Sequence, residues 1–581
     1  MNLKPVASGR ASRLRRGTDV LPRLFLAMAL MISLVVLVQL AVIIWLSVRT
    51  GSPGASGRYS WINYVSVFTD RTTLTVLVNT FEFSSISLVV ALAFGVPISW
   101  IVERTDFGGK TLVFTMMTAG LVIPGFATAI GWLFMLHPRI GLLNNWLMRL
   151  FDLRSAPLNI ATVPGMGWVQ GLSLAPVAFI MTSAVFRAMD PGLEEAAQVS
   201  GAGLLTTLRR VTLPVASPGI FAASIYIFTI GFAAFDVPAI IGWSNRIFTF
   251  STYIYLLTNP QDPLPRYGSA AALSAFMMAL AGLLTWGYSR MYRRSRRYAV
   301  ITGKAYRPRA IALGGAKAGA WLFVGAYFAL SDILPILVLA WSSLLPFFQP
   351  PSSAAFAMAS LAHFRDQPWE LVATGARNTA ILMLLTPTVS LCFAVALSWI
   401  ILRSSIRWRG LFDFIAFLPH AVPSIIFGVG AMLLALFVLQ RIAPLYGTIW
   451  LLLIVYSVVQ ISYATRMTNS GLIQIHPELE ESALISGSSL FQMFRRILAP
   501  LLSPTLLYAW LWIALLIFRE LTIAVILSTG QNMTLPVVIW SLWLSGGFGQ
   551  ASALALIELA FMLPLIALYW TISRRRSSLS S

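Results

Sequence analysis

The sequence predicts an all-α membrane protein of about twelve transmembrane helices, in two parallel six-helix halves. Two observations carry the membrane assignment. The chain is 58% hydrophobic and 10% charged, with a mean hydropathy of +0.80, whereas about a quarter of the residues of a soluble chain are charged. The apolar residues fall in runs of roughly 20 or more, long enough to cross a bilayer as helices; a membrane β-barrel would show short alternating segments. A third observation carries the two halves. Residues 190–218 recur as 476–504, displaced by 286 positions without a gap, and 13 of the 29 positions are identical. These are the most polar long stretches between hydrophobic runs. A membrane protein that keeps one soluble loop in duplicate has two copies of one soluble partner to hold.

Twelve spans follow in order: 24–48, 76–102, 111–136, 165–187, 217–241, 268–289, 320–345, 376–402, 411–439, 449–470, 504–527 and 551–572. The first is preceded by Arg10, Arg13, Arg15, Arg16 and Arg23, as a signal peptide would be. It is too long for a signal core and no small-residue cleavage site follows, so it reads as a transmembrane helix. With the N-terminus placed in the cytoplasm, 29 Lys and Arg fall on the cytoplasmic side and 11 on the other, with Arg519 inside a span. That bias places both termini in the cytoplasm. The same distribution argues against nucleic-acid binding, because the net charge of +21 sits in short loops beside apolar runs and forms no cluster. The basic stretch 290–319 divides the chain into a first half, 24–289, and a second, 320–572, flanked by tails 1–23 and 573–581. Six spans per half give both repeats the same orientation. The repeat continues weakly: Asn79-Thr80 and Ser99-Trp100 recur as Asn378-Thr379 and Ser398-Trp399, at an offset of 299. The outside loop 137–164 is longer than its counterpart in the second half. Within it Leu142, Leu143, Trp146, Leu147, Leu150 and Phe151 share a helical face opposite Asn144, Asn145 and Asp152, a pattern that suits a helix lying on the membrane surface.

Each copy of the polar loop (188–216 and 474–503) reads as helix, glycine turn, helix. Asp190-Pro191 supplies an N-cap and a proline at the first helical position. Glu194 and Glu195 sit near that N-terminus, where the macrodipole favours them. Gly201 permits a turn that a residue with a Cβ resists. Pro214 is expected to end the second helix, and Ser217-Pro218 to cap the next span. His476-Pro477, Glu480, Glu481, Gly487, Pro500 and Ser503-Pro504 repeat the scheme.

At these residues the chain resembles a known family. Glu195-Ala196-Ala197, then Gly201, then Leu213-Pro214 is similar to the EAA motif of ATP-binding-cassette importer permeases; the second copy reads Glu481-Ser482-Ala483, Gly487, Ala499-Pro500. The resemblance implies that Glu194, Glu195, Ala196, Ala197, Gly201 and Pro214, with Glu480, Glu481, Ala483, Gly487 and Pro500, form coupling loops seated on two ATPase subunits. Two fused halves resemble the permeases of ferric-iron importers in particular, through Asn144, the run 183–197, Leu418-Pro419 with Pro423, and Phe518-Arg519-Glu520-Leu521. That subfamily implies ferric iron as cargo; related fused permeases imply thiamine, aminoethylphosphonate or polyamine.

Other chemistry is sparse. Gly109-Lys110-Thr111 looks like the end of a phosphate loop, but Arg104 stands where the earlier glycine is required. The chain is therefore expected to be no enzyme and to bind no cofactor, with ATP used by partner subunits. Cys392 lies in an apolar run and reads as a small buried residue. His137, His363, His420 and His476 are widely spread and form no helical metal pair, so no metal site is expected. Charges within spans are costly in lipid, which singles out Asp236, Asp332, Arg519, Glu520 and Glu558, with Glu82 near a span end. Asp236 and Arg519-Glu520 fall in equivalent spans and are the candidates for lining a path; pairing of Arg519 with Glu558 is the alternative. Neighbours on a helix point about 100° apart, so Arg519 and Glu520 are not expected to face one partner. The expected protein is a multi-pass permease of the cell inner membrane, working with two ATPase subunits and a periplasmic or extracellular solute-binding protein. An ion-coupled secondary transporter also uses repeats and buried carboxylates, but needs no duplicated docking loop.

Overall fold

The computed structural model describes residues 20–51, 56–259, 265–295 and 311–579. The basic N-terminal tail and most of the stretch between the halves lie outside the described residues. The first half runs α1 (Val20–Ser47), α2 (Ile62–Thr69), α3 (Arg71–Arg104), α4 (Lys110–Gly120), α5 (Gly125–Leu136), α6 (Leu142–Leu150), α7 (Val163–Ala188), α8 (Gly192–Val199), α9 (Leu204–Thr207), α10 (Leu213–Ala233), α11 (Phe250–Thr258) and α12 (Tyr267–Ser295). The second runs α13 (Lys317–Phe328), α14 (Leu334–Leu344), α15 (Ser353–Met358), α16 (Ala362–Arg365), α17 (Trp369–Arg403), α18 (Arg409–Ala421), α19 (Ser424–Leu434), α20 (Ile449–Gln474), α21 (Pro477–Ile485), α22 (Leu490–Met493), α23 (Ala499–Phe518), α24 (Thr522–Leu527), α25 (Leu535–Leu544) and α26 (Phe548–Leu579). Side-chain caps start the long helices: Asp70 accepts from the Thr72 N–H at 2.9 Å at the head of α3, and Thr162 from Gly165 at 3.1 Å at the head of α7.

Ten helical paths are long and apolar enough to cross a membrane, and two further pairs pass together but are sharply bent. The expected spans 111–136 and 411–439 are these pairs. α4 meets α5 at 94°, and α18 meets the stretch Ser424–Leu439 at 102°. Proline causes both bends. Pro124 and Pro423 are extended in ψ (130° and 136°), and Val422 before Pro423 is held in the β region, as the residue before a proline tends to be. The two prolines are 299 positions apart, so the bend belongs to the repeat. Each bent pair still crosses. α3 ends beside the first polar loop and α7 leads into it, so the chain between 110 and 163 must return to the opposite face; α17 and α20 impose the same on α18–α19.

The expected spans 217–241 and 504–527 are also broken. α10 stops at Ala233 and α23 at Phe518; short irregular stretches follow before the π-turn Pro238–Gly242 and α24. Irregular backbone at membrane depth persists only where protein buries it or it lines a polar cavity.

The halves interlock. α1 packs on α12 and also on α17, α18 and α19, while α14 packs on α5 and α26. A glycine opens each crossing. A Cβ at Gly131 would lie 2.4 Å from the Pro335 carbonyl oxygen, and one at Gly430 2.5 Å from that of Gln39. These glycines too are 299 apart, so each half lends its first span to the other by the same close backbone contact.

Two readings of single residues are corrected. Cys392 is exposed on the outer surface of α17, where the bilayer would cover it, rather than buried in the protein. Asn144 of α6 points inward: it is 1% exposed, its Nδ2 donates to the carbonyls of Leu136 (3.0 Å), His137 (3.2 Å) and Leu158 (2.7 Å), and its Oδ1 accepts from the Leu158 N–H. Trp146, Leu150 and Phe151 face outward. An asparagine that closes a loop through its backbone outweighs the amphipathic pattern, and the apolar face is left for the membrane surface.

Candidate functional site: two matched loops and a cavity between the halves

The two polar loops have one geometry. α8 and α21 are followed by left-handed glycines, Gly201 (φ +83°) and Gly487 (φ +89°), then by α9 and α22, then by π-turns at Leu208–Thr212 and Phe494–Leu498, each displaced by 286. The glycines face open space, so backbone conformation alone requires them. Pro214 and Pro500 do not end a helix, as had been expected. The helical path continues from Leu204 to Ala233 and from Leu490 to Phe518. The π-turn directly before each proline widens the helix where the ring would meet the preceding turn. Ser217 and Ser503 then bond back to the Pro214 and Pro500 carbonyls at 2.8 Å inside the helix, rather than capping a new one.

The paired glutamates divide their work. Glu194 is 3% exposed and Glu480 8%, so these two members of the expected coupling set face inward. Each is held by an arginine at the end of the half's long second span. Arg104 pairs with Glu194 through Nε (2.9 Å) and Nη2 while Nη1 reaches the Phe186 and Met189 carbonyls, and the Thr212 hydroxyl donates to the other Glu194 oxygen at 2.6 Å. Arg403 donates to Glu480 at 2.7 Å and to the Leu472 and Ile475 carbonyls at 3.0 and 2.8 Å. Sequence reading missed Arg104 and Arg403, although they stand 299 apart, the offset of the Asn-Thr and Ser-Trp pairs. Ala483 is buried beneath its loop; Glu195 and Ala197 are half-buried, and Ala196, Glu481, Pro214 and Pro500 are exposed. The outward face is apolar in matched pairs: Val199 and Ile485 are 90% and 80% exposed, Leu205 and Phe491 58% and 56%.

The first loop has an extra support. Ile311 and Arg104 share a backbone bond (2.9 Å), Asp106 bonds back to the Ile311 carbonyl (3.0 Å), and the Asp106 carboxylate takes Lys317 Nζ (2.8 Å) and the Leu313 N–H (2.9 Å). Lys317 first, then that N–H, hold the Asp106 carboxyl below its ordinary range. The chain leaving the inter-half stretch is thus tied next to Arg104.

The repeated Asn-Thr pair fixes the opposite end of each half. Asn79 and Asn378 donate to loop carbonyls (Phe248; Gln531 and Met533), and Thr80 and Thr379 accept the first N–H of α11 and α25 at 2.9 Å.

Between the halves lies a cavity of about 650 Å³. The two bends and the two helix breaks meet on its wall, so Asp236, Arg519 and Glu520 all line it, with Tyr226, His420, Gln460 and Tyr463. The break at 519–521 frees Arg519 and Glu520 from helical geometry. Arg519 turns to the first half, donating to the Ile123 carbonyl at the first bend (3.0 Å) and acting electrostatically on Asp236 and Glu520. Glu520 turns back to accept from the Ile523 (2.9 Å) and Ala524 (3.3 Å) N–H groups, capping α24. The alternative pairing of Arg519 with Glu558 is not formed; Glu558 is fully buried in α26 with neither carboxyl oxygen hydrogen-bonded. Asp332 lies in a π-turn between α13 and α14, away from the cavity lining, with Ser331 as partner.

These features describe a polytopic helical membrane protein with two equivalent polar loops and one cavity between its halves. The family profile of the binding-protein-dependent transport system inner membrane component matches residues 95–297 and 389–578, and the chain belongs to that family: it is a permease of the binding-protein-dependent ABC importer type, not a catalytic subunit. Among its relatives, a ferric transport system permease protein of Actinobacillus pleuropneumoniae is 24% identical over 84% of this chain and 69% of the relative. A putative ferric transport system permease protein of Haemophilus influenzae is 24% identical over 73% and 65%, and an Fe(3+)-transport system permease protein of the same organism 22% identical over 81% and 84%.

Proposed function

We propose that this chain supplies both transmembrane halves of an ATP-driven importer for ferric iron, with both termini in the cytoplasm. Two ATPase subunits sit on the loops around Gly201 and Gly487, and a solute-binding protein delivers cargo to the opposite face. The observation that carries the reading is the identical geometry of the two loops, each with its glutamate anchor turned inward and its matched apolar pair turned outward. Closure of the ATPases draws the loops together, and contacts that differ between the two states supply the drive. Glu195, Ala196, Ala197, Glu481, Val199 and Ile485 form the contact surface, and Glu194 and Glu480 join it rigidly to the spans. Asp236, Arg519 and Glu520 line the path. Iron rests on the ferric names of the relatives and on the fused two-half resemblance; thiamine, aminoethylphosphonate and polyamine are the other cargoes of fused permeases.

Deleting the gene should slow growth under iron limitation and lower uptake of radiolabelled ferric iron. Unchanged iron uptake with loss of thiamine, phosphonate or polyamine uptake would remove iron and keep the importer. Ion-driven transport by proteoliposomes holding this chain alone would remove both.

A further inference from the structure

We infer that Tyr226, His420 and Tyr463 form a transient coordination site for the ferric cargo in the cavity between the halves; the inference rests on the iron reading and adds to it the residues that touch the metal. The three rings come from both halves: Tyr226 from α10, His420 from the end of α18 at the second bend, Tyr463 from α20. The His420 ring lies parallel to Tyr226 with centroids 5.3 Å apart and edge-on to Tyr463 at 5.4 Å. The two phenol groups interact with each other. Tyr463 is 37% exposed although it sits in the middle of a spanning helix, and the surface it exposes faces the cavity.

Tyr327 donates to the Leu172 carbonyl (3.1 Å), Tyr64 to Ser47 (2.9 Å) and Tyr253 to Asp70 (3.2 Å), whereas the buried phenol oxygen of Tyr456, on the same cavity wall, has no hydrogen bond among the described residues. Tyr226, Tyr463 and His420 make no such bond to backbone or to another residue type among the described residues. Polar side chains on a cavity wall that the backbone does not claim are open to a ligand.

The donor set selects the ligand. Phenolate oxygen and imidazole nitrogen suit ferric iron, as tyrosine and histidine ligation of iron elsewhere illustrates. The chain's one thiol, Cys392, faces away from the protein, so no soft donor competes. The carboxylates of Asp236 and Glu520 line the same cavity, as does the Arg519 guanidinium. Among the described residues no three His, Cys, Asp or Glu come together to hold a metal, so a resident metal centre of that type is not built here. Three ligands leave most of the coordination sphere to water or to a chelating anion, which keeps binding weak enough for release. On coordination each bound phenol loses its proton to water; the iron stays ferric and no electron moves.

The full chain in lipid nanodiscs, titrated with ferric citrate, should develop a saturable visible phenolate-to-iron charge-transfer band. Tyr226→Phe with Tyr463→Phe should abolish the band with thermal unfolding unchanged, and His420→Gln should weaken iron binding at least tenfold. Each single Phe variant should lose part of the band, which keeps the test open if the double variant folds poorly. A band that survives the double substitution overturns the site. Absence of a band in the wild type overturns it too, while ferric uptake by cells carrying the complete importer reports separately on the iron reading. Saturable quenching of Trp512 by thiamine, with no ferric band, would overturn the site and make the ring cluster a cage for an organic cation.

Discussion

Removing Arg104 should destabilise the first loop more than any surface change in it, and the loss should vanish when Glu194 is removed as well. The pair is almost dry, with side chains 6% and 4% exposed. Arg104 also satisfies the Phe186 and Met189 carbonyls, so Arg104→Met strands a buried carboxylate and two carbonyl oxygens. Breaking a buried ion pair from one side costs about 3–5 kcal/mol, because the surviving charge is left uncompensated; replacing both partners by apolar residues of similar volume is often neutral. Arg104→Met alone should therefore cost about 3–5 kcal/mol, and Arg104→Met with Glu194→Leu much less than the sum of the single changes. Arg403 and Glu480, at 14% and 10% exposure, should show the same pattern toward the lower end of that range. The assay is reversible unfolding in mixed micelles followed through the 19 tryptophans, read as a double-mutant cycle. Additivity within about 0.5 kcal/mol would mean that the two residues do not act as a pair, and the view of Arg104 as the joint between span and loop would fall.

Gly201→Val with Gly487→Val should cost about 1–2 kcal/mol per site through the left-handed backbone; the protein should reach the membrane with binding-protein-stimulated ATP hydrolysis lost, and wild-type hydrolysis would refute the coupling role. Glu520→Gln should lower transport at normal membrane abundance if the side chain serves the path, whereas reduced thermal stability with transport per molecule intact would leave it only the capping of α24. The Asp106 clamp should hold across neutral pH: its carboxyl is depressed, so the stabilisation is complete above the ordinary carboxylate range near ~3.9 and is lost only as pH falls through the lower folded value. Asp106→Asn should release it at every pH, seen as protease access near Ile311; equal protection in the variant would refute the clamp. A reporter active only outside the cytoplasm should be silent when fused after Ser200 or Ser486 and active near Gln367, and activity after Ser486 would overturn the parallel halves.

The fold class was legible because lipid leaves the backbone one economical solution, and runs of about 20 apolar residues record it directly. The loops were legible because their turns need glycine at one φ and their helices need proline at one position, and both signals survive in the letters. What escaped was set by contacts across the chain. Arg104 and Arg403 look like ordinary basic residues at span ends until the loop folds back 90 and 77 positions later to cover them. The helix breaks escaped because hydropathy reads straight through them: 234–235 and 519–521 lie in runs that otherwise score as single spans. Pro124 and Pro423 did carry the signal for the bends, and the offset of 299 that joins them also joins Asn79 to Asn378, Arg104 to Arg403 and Gly131 to Gly430. One displacement thus links the loop support, the bend and the crossing glycine of each half. The other displacement, 286, holds from the glycine turn through the π-turn to the inner end of α10 and α23. The point where the register changes lies between Gly131 and Asp190, the stretch that contains the first half's longer outside loop and α6. The insertion therefore falls on the face opposite the two duplicated loops, where the first half can differ from the second without disturbing either joint. The same asymmetry reaches the cavity: Arg519 belongs to one half only and crosses to the other half's bend, so the cavity is lined by two related walls that are not copies.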